Sequence, residues 1–587
     1  MQKRIMIVKK EKCNPLGCGG YLCIRVSPSN RAGKDAIVKS PDGKVSVNEE
    51  VITDGDRIAA NKCPFGALMM INLPEELKKD PIHRYGQNGF ALYNLPTPLF
   101  GKVVGIIGRN GIGKTTAIKV LAGVLKPNLG RIKKDNCEAT HEELINYFKG
   151  TEAQIFFEKR KKGEIKISYK PQQVDMIPQQ FSGTVKELLK KADEKKIFDE
   201  ITKKLELTKI LNHDIKNISG GELQRVAIAA IVMKKANVYF FDEPASYLDI
   251  KQRLKISKFI RTLADEKTAV MVIEHDLIIL DYMTDFVHLM YGKEGAFGVV
   301  SMIKTTKAGI NVYLSGYLKE ENVRFRDHEI KFLKKPPTTR RLSHEIVKWS
   351  PLEYTQGIFN LKVNEGDVCK GETVGILGEN GIGKTTFVRI LAGDIKTKDK
   401  IEKLKISYKP QYLQPNDELV AVTLRRAIDK YSSLIINPLN LKDFFTRKLN
   451  ELSGGEIQRV MIAKCLAEDS NMILMDEPSA YLDVEQRLEI SKVIKDVMEQ
   501  TGKSALIVDH DLLFLDYLSD RLIVFDGEPA VFGAVNGPFD MEKGMNLFLK
   551  DISLTFRRDD ENNRPRANKE GSQLDVSQKA KGKLYYQ

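Results

Sequence analysis

The chain has 587 residues, too many for one hydrophobic core, and a soft prior of about 150 residues per domain gives three to five compact units. Apolar residues make up 42% and charged residues 29%, an ordinary globular composition, and no apolar run approaches the roughly 18 residues that would cross a bilayer. Lysine and arginine outnumber aspartate and glutamate by 93 to 78, a net charge of +15 that suits either a polyanionic partner or a lysine-rich solvated surface.

The opening, MQKRIMIVKKEKCNP, is basic but has no apolar core of a secretory signal, so a cytoplasmic protein is expected. Seven cysteines are too few for a disulfide scaffold, yet Cys13, Cys18, Cys23 and Cys63 cluster near the start and suggest a metal site. VVGIIG then reads as a buried strand, GRNGIGKTT at 108–116 as a glycine loop, and AIKVLAG as a helix. Further on come SYKPQ at 168–172, SGGELQR at 219–225, FDEPASYLD at 241–249 and IEHD at 273–276.

All of these recur in the same order: GENGIGKTT at 378–386, SYKPQ at 407–411, SGGEIQR at 453–459, MDEPSAYLD at 475–483 and VDHD at 508–511. The copies are offset by 270 residues at Lys114 and Lys384 but by 239 at Gln172 and Gln411, so the first carries 31 extra residues between these motifs. They fall around EATHEELINYFKGTEAQIFFEKRKKGE, whose apolar spacing about Gly150 predicts a surface helix-loop-helix at about 138–164, either a neutral expansion or, as we favour, a docking element. A second repeat relates AGINVYLSGYLKEENVRFRD at 308–327 to KGMNLFLKDISLTFRRD at 543–559, which reads as paired structural hinges. The residues beyond about 570 are polar and expected to be a mobile tail.

The two glycine loops have the P-loop context of strand and helix. They offer Gly108, Arg109, Asn110, Gly111, Ile112, Gly113, Lys114, Thr115 and Thr116 in one copy, and Gly378, Glu379, Asn380, Gly381, Ile382, Gly383, Lys384, Thr385 and Thr386 in the other. Backbone N–H groups wrap phosphates at a helix N-terminus, the lysines neutralise the β and γ phosphates, and Thr115 and Thr385 can hold Mg²⁺. Asp242 and Asp476 end apolar strands and suit the Mg²⁺ shell, while the adjoining Glu243 and Glu477 are candidate general bases for an attacking water.

The SGGE segments resemble the signature loop of ABC ATPases, which implies an α/β fold with two ABC-type P-loop nucleotide-binding domains in tandem. The resemblance implies that Ser219, Gly220 and Gly221 face the ATP held by Lys384, and that Ser453, Gly454 and Gly455 face the ATP held by Lys114. It also makes Gln172 and Gln411 Q-loop residues beside Mg²⁺, His275 and His510 switch histidines, and Asp249 and Asp483 D-loop residues, so that both composite sites are expected to hydrolyse ATP. Family members stack adenine on an upstream aromatic residue. Tyr85 and Phe90 are candidates in the first copy, and Trp349, Tyr354 and Phe359 remain open in the second.

The cysteines resemble a partly emptied bacterial-type ferredoxin repeat, in which the last cysteine of each motif ligates the other motif's cluster. By that rule Cys13, Cys18, Cys23 and Cys63 form one full set, and Ser27, Thr53, Asp56 and Ala59 stand where the second would be. This implies one [4Fe-4S] cluster, with zinc or a metal-free relic as the competing readings. The whole order, with CPFGAL at 63–68, INLPEEL at 71–77, NVRFRD at 322 and NNRPR, resembles the ABC subfamily E (RNase L inhibitor) family of ribosome-recycling ATPases. That resemblance implies a small α+β ferredoxin-like domain at 1–75, a first ABC domain at 76–292, a hinge at 293–335, a second ABC domain at 336–530, a second hinge at 531–570 and a tail at 571–587. It implies a monomer without membrane contact that splits ribosomes, binding chiefly the small subunit's rRNA and protein together with a release factor or Pelota-like protein. The alternatives are another twin-ABC translation factor or a non-catalytic ATP-binding scaffold.

Overall fold

The computed structural model describes residues 4–72, 80–131, 138–332, 345–395 and 405–585. The expected junctions at 75/76 and 335/336, and most of INLPEEL, lie outside these residues. Two eight-stranded sheets share one strand order. In the first, His83–Arg84, Ala91–Tyr93, Phe297–Thr305, Phe286–Lys293, Val103–Ile107, Ala269–Ile273, Val238–Asp242 and Ile167–Lys170 lie side by side. In the second the sequence is Leu352–Gln356, Phe359–Val363, Phe532–Asp540, Arg521–Glu528, Thr373–Leu377, Ser504–Val508, Met472–Asp476 and Ile406–Lys409.

The central strands are parallel and buried at every position, which is why they read as continuous apolar runs rather than alternating ones. Their alternate side chains serve two layers. Tyr239 and Phe241 pack with the helix Gly220–Val232, whereas Val238 and Phe240 pack with the P-loop helix Lys114–Ala122. The cluster around the Gly220–Val232 helix continues without a break into the matching layer of the second copy, including Val460, Ile473 and Leu515.

Each sheet extends beyond the expected domain end. Strands Phe297–Thr305 and Phe532–Asp540 return antiparallel to their predecessors and pair with the upstream strands Ala91–Tyr93 and Phe359–Val363, so the sheets run past 293 and 531 as far as the helices Thr306–Ser315 and Met541–Asp551. Sequence spacing missed this because the partners are distant in the chain, Phe297 pairing with Ala91 and Phe532 with Asn360. The expected hinge segments pack against both domains: buried Arg564 and Arg566 pair with Asp281 of the first ABC domain, Arg558 lies 3.3 Å from Asp516 of the second, and Asn311 of the first segment donates to Asp559 and Glu561 of the second segment.

The end of the chain is not a mobile tail. Helix Gln573–Lys581 is capped by Ser572, buried Asp575 accepts from Thr555, and buried Tyr585 donates to Asp516. Its polarity misled because these polar groups are buried in hydrogen-bonded pairs rather than solvated.

Between the P-loop and the Ile167–Lys170 strand, helices His141–Tyr147 and Glu152–Lys161 are joined by a turn at Gly150, whose φ of 81° suits glycine. Leu144, Phe148, Phe156 and Phe157 seat them on the P-loop layer, and Arg160 Nη1 donates to the Leu121 carbonyl at 3.0 Å. Lys161 and Lys162 remain on the outside. The ferredoxin-like domain pairs Arg4–Val8 with Leu68–Asn72 and Ile37–Lys39 with Val45–Val47, around short helices Leu22–Val26 and Arg57–Asn61. Buried Asn88 of the first ABC domain holds it, exchanging hydrogen bonds with the Val47 backbone at 2.8 and 2.9 Å. Among the described residues no helix is long and apolar enough to cross a membrane.

Candidate active site

Both P-loops are shaped by close backbone approach. A Cβ on Gly298 would fall 2.0 Å from the Ile112 carbonyl, and one on Gly533 2.2 Å from that of Ile382, so the hairpin strand lies directly against the loop. Gly113 and Gly383 enter their helices at φ of 90° and 93° beneath the rings of Phe90 and Phe359. Lys114 Nζ donates to the carbonyls of Gly108 and Arg109 at 2.8 and 2.7 Å, and Lys384 to those of Gly378 and Glu379 at 2.8 and 2.6 Å. Burial lowers the pKa of both lysines, Lys384 to about 8.

The candidate catalytic residues of each copy lie together. Thr115 Oγ1 donates to Asp242 at 2.8 Å and Thr385 to Asp476 at 2.7 Å; Gln172 Nε2 donates to Glu243 at 2.8 Å and Gln411 to Glu477 at 2.7 Å. His275 Nε2 lies 3.4 Å from Glu243 and His510 Nε2 3.7 Å from Glu477. Burial lowers the pKa of both imidazoles, which favours their neutral form.

Glu243 and Glu477 have φ of 48° and 46°, a left-handed backbone that non-glycine residues adopt only when the surroundings impose it. Lys170 Nζ bridges the Asp242 and Glu243 carbonyls at 2.9 and 3.2 Å, and Gln224 Nε2 reaches the Glu243 carbonyl at 2.7 Å; Lys409 and Gln458 do the same in the second copy. These four supports were missed in the sequence. Their only signal was recurrence inside SYKPQ and SGGE-[LI]-QR.

The two acids differ in surroundings. In the first copy burial opposes ionisation of Glu243, but the His275 contact, Lys114 and the Ser246 hydroxyl, 3.1 Å away, outweigh it and bring its pKa to about 2. In the second, burial, Asp509 and Asp476 raise that of Glu477. Ser479 occupies the position of Ala245 and donates to Asp509 at 2.7 Å, while Ala480 stands where Ser246 would be.

The domains face each other across one cavity of about 1850 Å³. It is lined from both copies: by Asn110, Gly111, Gly113, Lys114, Thr115 and Thr116 with Glu379, Asn380, Gly381, Gly383, Lys384, Thr385 and Thr386, and by the three signature residues of each copy. Ser219 and Ser453 cap the signature helices by accepting from Glu222 and Glu456, leaving helix N-termini toward the cavity. Asp483 Oδ2 accepts from the Asn110 backbone N–H at 3.0 Å, and Asp249 Oδ2 from that of Asn380 at 3.1 Å, reciprocal contacts between opposite domains. Ile112 and Ile382 do not line the cavity; they are core residues, 1% exposed.

Tyr85 and Phe90 line the cavity in the first copy, with ring centroids 6.4 Å apart. In the second copy Phe359 lines it in the place of Phe90, whereas Trp349 is core, edge-on to Phe387, and Tyr354 packs at the core's margin.

Cys13, Cys18, Cys23 and Cys63 surround one small, nearly apolar cavity with Tyr21, Leu22 and Phe65. Among the described residues the only His, Cys, Asp or Glu trio with ligand atoms all within 4.8 Å is His328, Glu485 and Glu489, so the sulfurs are spread wider than the ~3.8 Å of thiolates sharing one Zn²⁺. The other ligand set does not fit a cluster: Asp56, fully buried, accepts from Ser27 Oγ at 2.5 Å, Ser29 N–H at 3.1 Å and Thr53 N–H at 2.8 Å, with Ser29 Oγ also bonded, and Ala59 packs alongside.

Fold and site together define a protein with twin ABC nucleotide-binding domains, and the ABC transporter family model matches residues 100–246 and 361–480. The chain is 48% identical to an uncharacterised ABC transporter ATP-binding protein of Methanocaldococcus jannaschii, covering 99% of this chain and 97% of the relative, and 42% identical to ABC transporter E family member 1 of Arabidopsis thaliana, covering 99% and 98%. Among solved structures it is similar to a model of ribosome-bound archaeal Pelota and ABCE1 (48% identity, TM-score 0.92, all of both chains) and to archaeal ribosome recycling factor aABCE1 in complex with stalk protein aP1 (49%, TM-score 0.82, 87% of this chain and all of that one). The chain belongs to the ABC subfamily E, or RNase L inhibitor, family.

Proposed function

We propose that this protein is a cytoplasmic ATP-driven ribosome recycling factor that separates the subunits together with a release factor or Pelota-like protein, hydrolysing ATP at two composite sites. The observation that carries the reading is the reciprocal bond from each D-loop aspartate, Asp249 and Asp483, to the opposite P-loop. A nucleotide between P-loop and opposite signature adds contacts to both domains, so ATP favours the closed arrangement and hydrolysis releases it. Thr115 with Asp242, and Thr385 with Asp476, would hold Mg²⁺ beside Gln172 and Gln411; the ion supplies charge neutralisation at the phosphates. Glu243 and Glu477 take the proton of the attacking water, and His275 and His510, neutral in their buried places, orient it at the γ phosphate. Tyr85, Phe90 and Phe359 support adenine.

Arg564 and Arg566 on Asp281 make the hinges move with the domains, and the ferredoxin-like domain follows the first ABC domain through Asn88. The insertion's lysines and the surplus of 15 positive charges suit small-subunit rRNA. The four cysteines would hold one [4Fe-4S] cluster, with the Asp56 network in place of a second. Gradient sedimentation of 70S ribosomes with the protein, a Pelota-like factor and ATP tests the activity: subunit peaks are expected, and intact 70S with no rise in ATPase overturns the recycling role. Anaerobically purified protein should contain about four irons per chain; about eight, or zinc instead, overturns the cofactor assignment.

A further inference from the structure

Beside the shared contact between D-loop aspartate and P-loop backbone lies a pair of side chains that occupies matching positions in the two sites with opposite charge. After the first glycine of each P-loop stands Arg109 in one copy and Glu379 in the other; two residues after each D-loop aspartate stands Lys251 in one and Glu485 in the other. Arg109 grips both carboxylate oxygens of Glu485, its Nε at 2.5 Å, and Lys251 Nζ lies 2.5 Å from Glu379 Oε1. Each hinge adds an outer charge. Arg326 of the first hinge, 3% exposed, places Nε 3.3 Å from Glu485 and is itself held by the Tyr313 and Leu314 carbonyls at 3.0 and 3.1 Å; Asp551, ending the second hinge helix, lies 4.0 Å from Lys251. One site therefore reads plus, minus, plus from P-loop to hinge, and the other minus, plus, minus.

The nearby His328 and Glu489 do not turn Glu485 into a metal site, because its carboxylate is already committed to two guanidinium groups.

We propose that these two oppositely charged triads are a pairing code: they let each P-loop accept only the D-loop helix of the other ABC domain, and they set each ATP site in register with one hinge. The two ABC copies share strand order and site geometry, so two molecules can in principle pair like with like. Such pairing sets Arg109 against Lys251, or Glu379 against Glu485, and partly buried like charges repel. Arg109, Lys251, Glu379 and Glu485 are thus specificity-determining and positioning residues whose charged ends act across the interface, not on the phosphates. The code rests on the reading that ATP closes the domains at composite sites.

Full-length protein carrying a donor and an acceptor fluorophore, one on the exposed surface of each ABC domain, reports closure as a non-hydrolysable ATP analogue is titrated. Lys251→Glu and Glu379→Lys are each expected to raise the analogue concentration for half closure about tenfold, and the double variant Lys251→Glu/Glu379→Lys, which restores opposite charge in reversed order, should return to within about threefold of the unmodified protein. A double variant no better than its worse parent overturns the code. Failure of the unmodified protein to close overturns the composite-site reading instead, so the two failures are distinguishable.

Discussion

Two regions of the molecule arose from repeats, and they have fared differently. The ABC domains keep both copies of their site: Thr115, Gln172, Asp242, Glu243 and His275 have the same partners as Thr385, Gln411, Asp476, Glu477 and His510. In the ferredoxin-like domain Cys13, Cys18, Cys23 and Cys63 surround one small cavity, whereas Ser27, Thr53 and Asp56 are joined by hydrogen bonds on the Asp56 carboxylate. In the ABC domains the reciprocal contacts at Asn110 and Asn380 join residues of both copies at each site. In the ferredoxin-like domain the cysteines and the Asp56 network are separate clusters of side chains, one around an apolar cavity and one held by hydrogen bonds.

The largest effect expected from breaking this comparison is on the bases. Glu243→Gln with Glu477→Gln should lower steady-state phosphate release by about 100-fold or more, the usual scale for a general base, while each single variant retains turnover at the other site. Retention of most activity by the double variant would remove both glutamates from the chemistry. Next in size is the Asp56 network of the ferredoxin-like domain. Asp56→Ala strands Ser27, Ser29 and the Thr53 N–H in the interior and should destabilise that domain by about 3 kcal/mol, seen as faster proteolysis within residues 4–72 with the ABC domains intact. An unchanged cleavage rate would mean that the carboxylate is not what holds the second half together. The smallest effect concerns the difference between the ABC copies. Ser246→Ala removes one of the hydrogen bonds that hold down the Glu243 pKa, worth about 1 kcal/mol, and the more basic carboxylate should speed the first site a few-fold when the second is silenced by Glu477→Gln; no change in single-turnover rate would show that the serine does not tune the base.

Much of the site was legible because P-loop, Q-loop, signature and D-loop are short continuous strings, and each was written twice. The supports of the catalytic turn were less legible. Lys170 and Gln224 lie 73 and 19 residues from the Glu243 carbonyl they bind, and nothing local in the chain says that a buried lysine will face a strained turn. The aromatic residue beside the second P-loop was ambiguous for a similar reason: Trp349, Tyr354 and Phe359 are all aromatic, and only the pairing of Phe359–Val363 with Phe532–Asp540 sets Phe359 over Gly383 while Trp349 turns into the core.

The sequence by itself determined the twin ABC architecture, the paired acids and lysines, the insertion's helical pattern and the single complete set of cysteines, because each depends on residue type and spacing within one segment. The tertiary structure decided where the sheets end, since Phe297–Thr305 and Phe532–Asp540 close against strands 206 and 172 residues upstream, at Phe297 on Ala91 and Phe532 on Asn360. It also decided that the polar residues up to 585 pack with a helix, that Asp56 gathers a buried hydrogen-bond network, and that Arg109 meets Glu485 while Lys251 meets Glu379. Those outcomes depend on which distant groups share a low-dielectric neighbourhood, and a buried polar residue is written with the same letter as a solvated one.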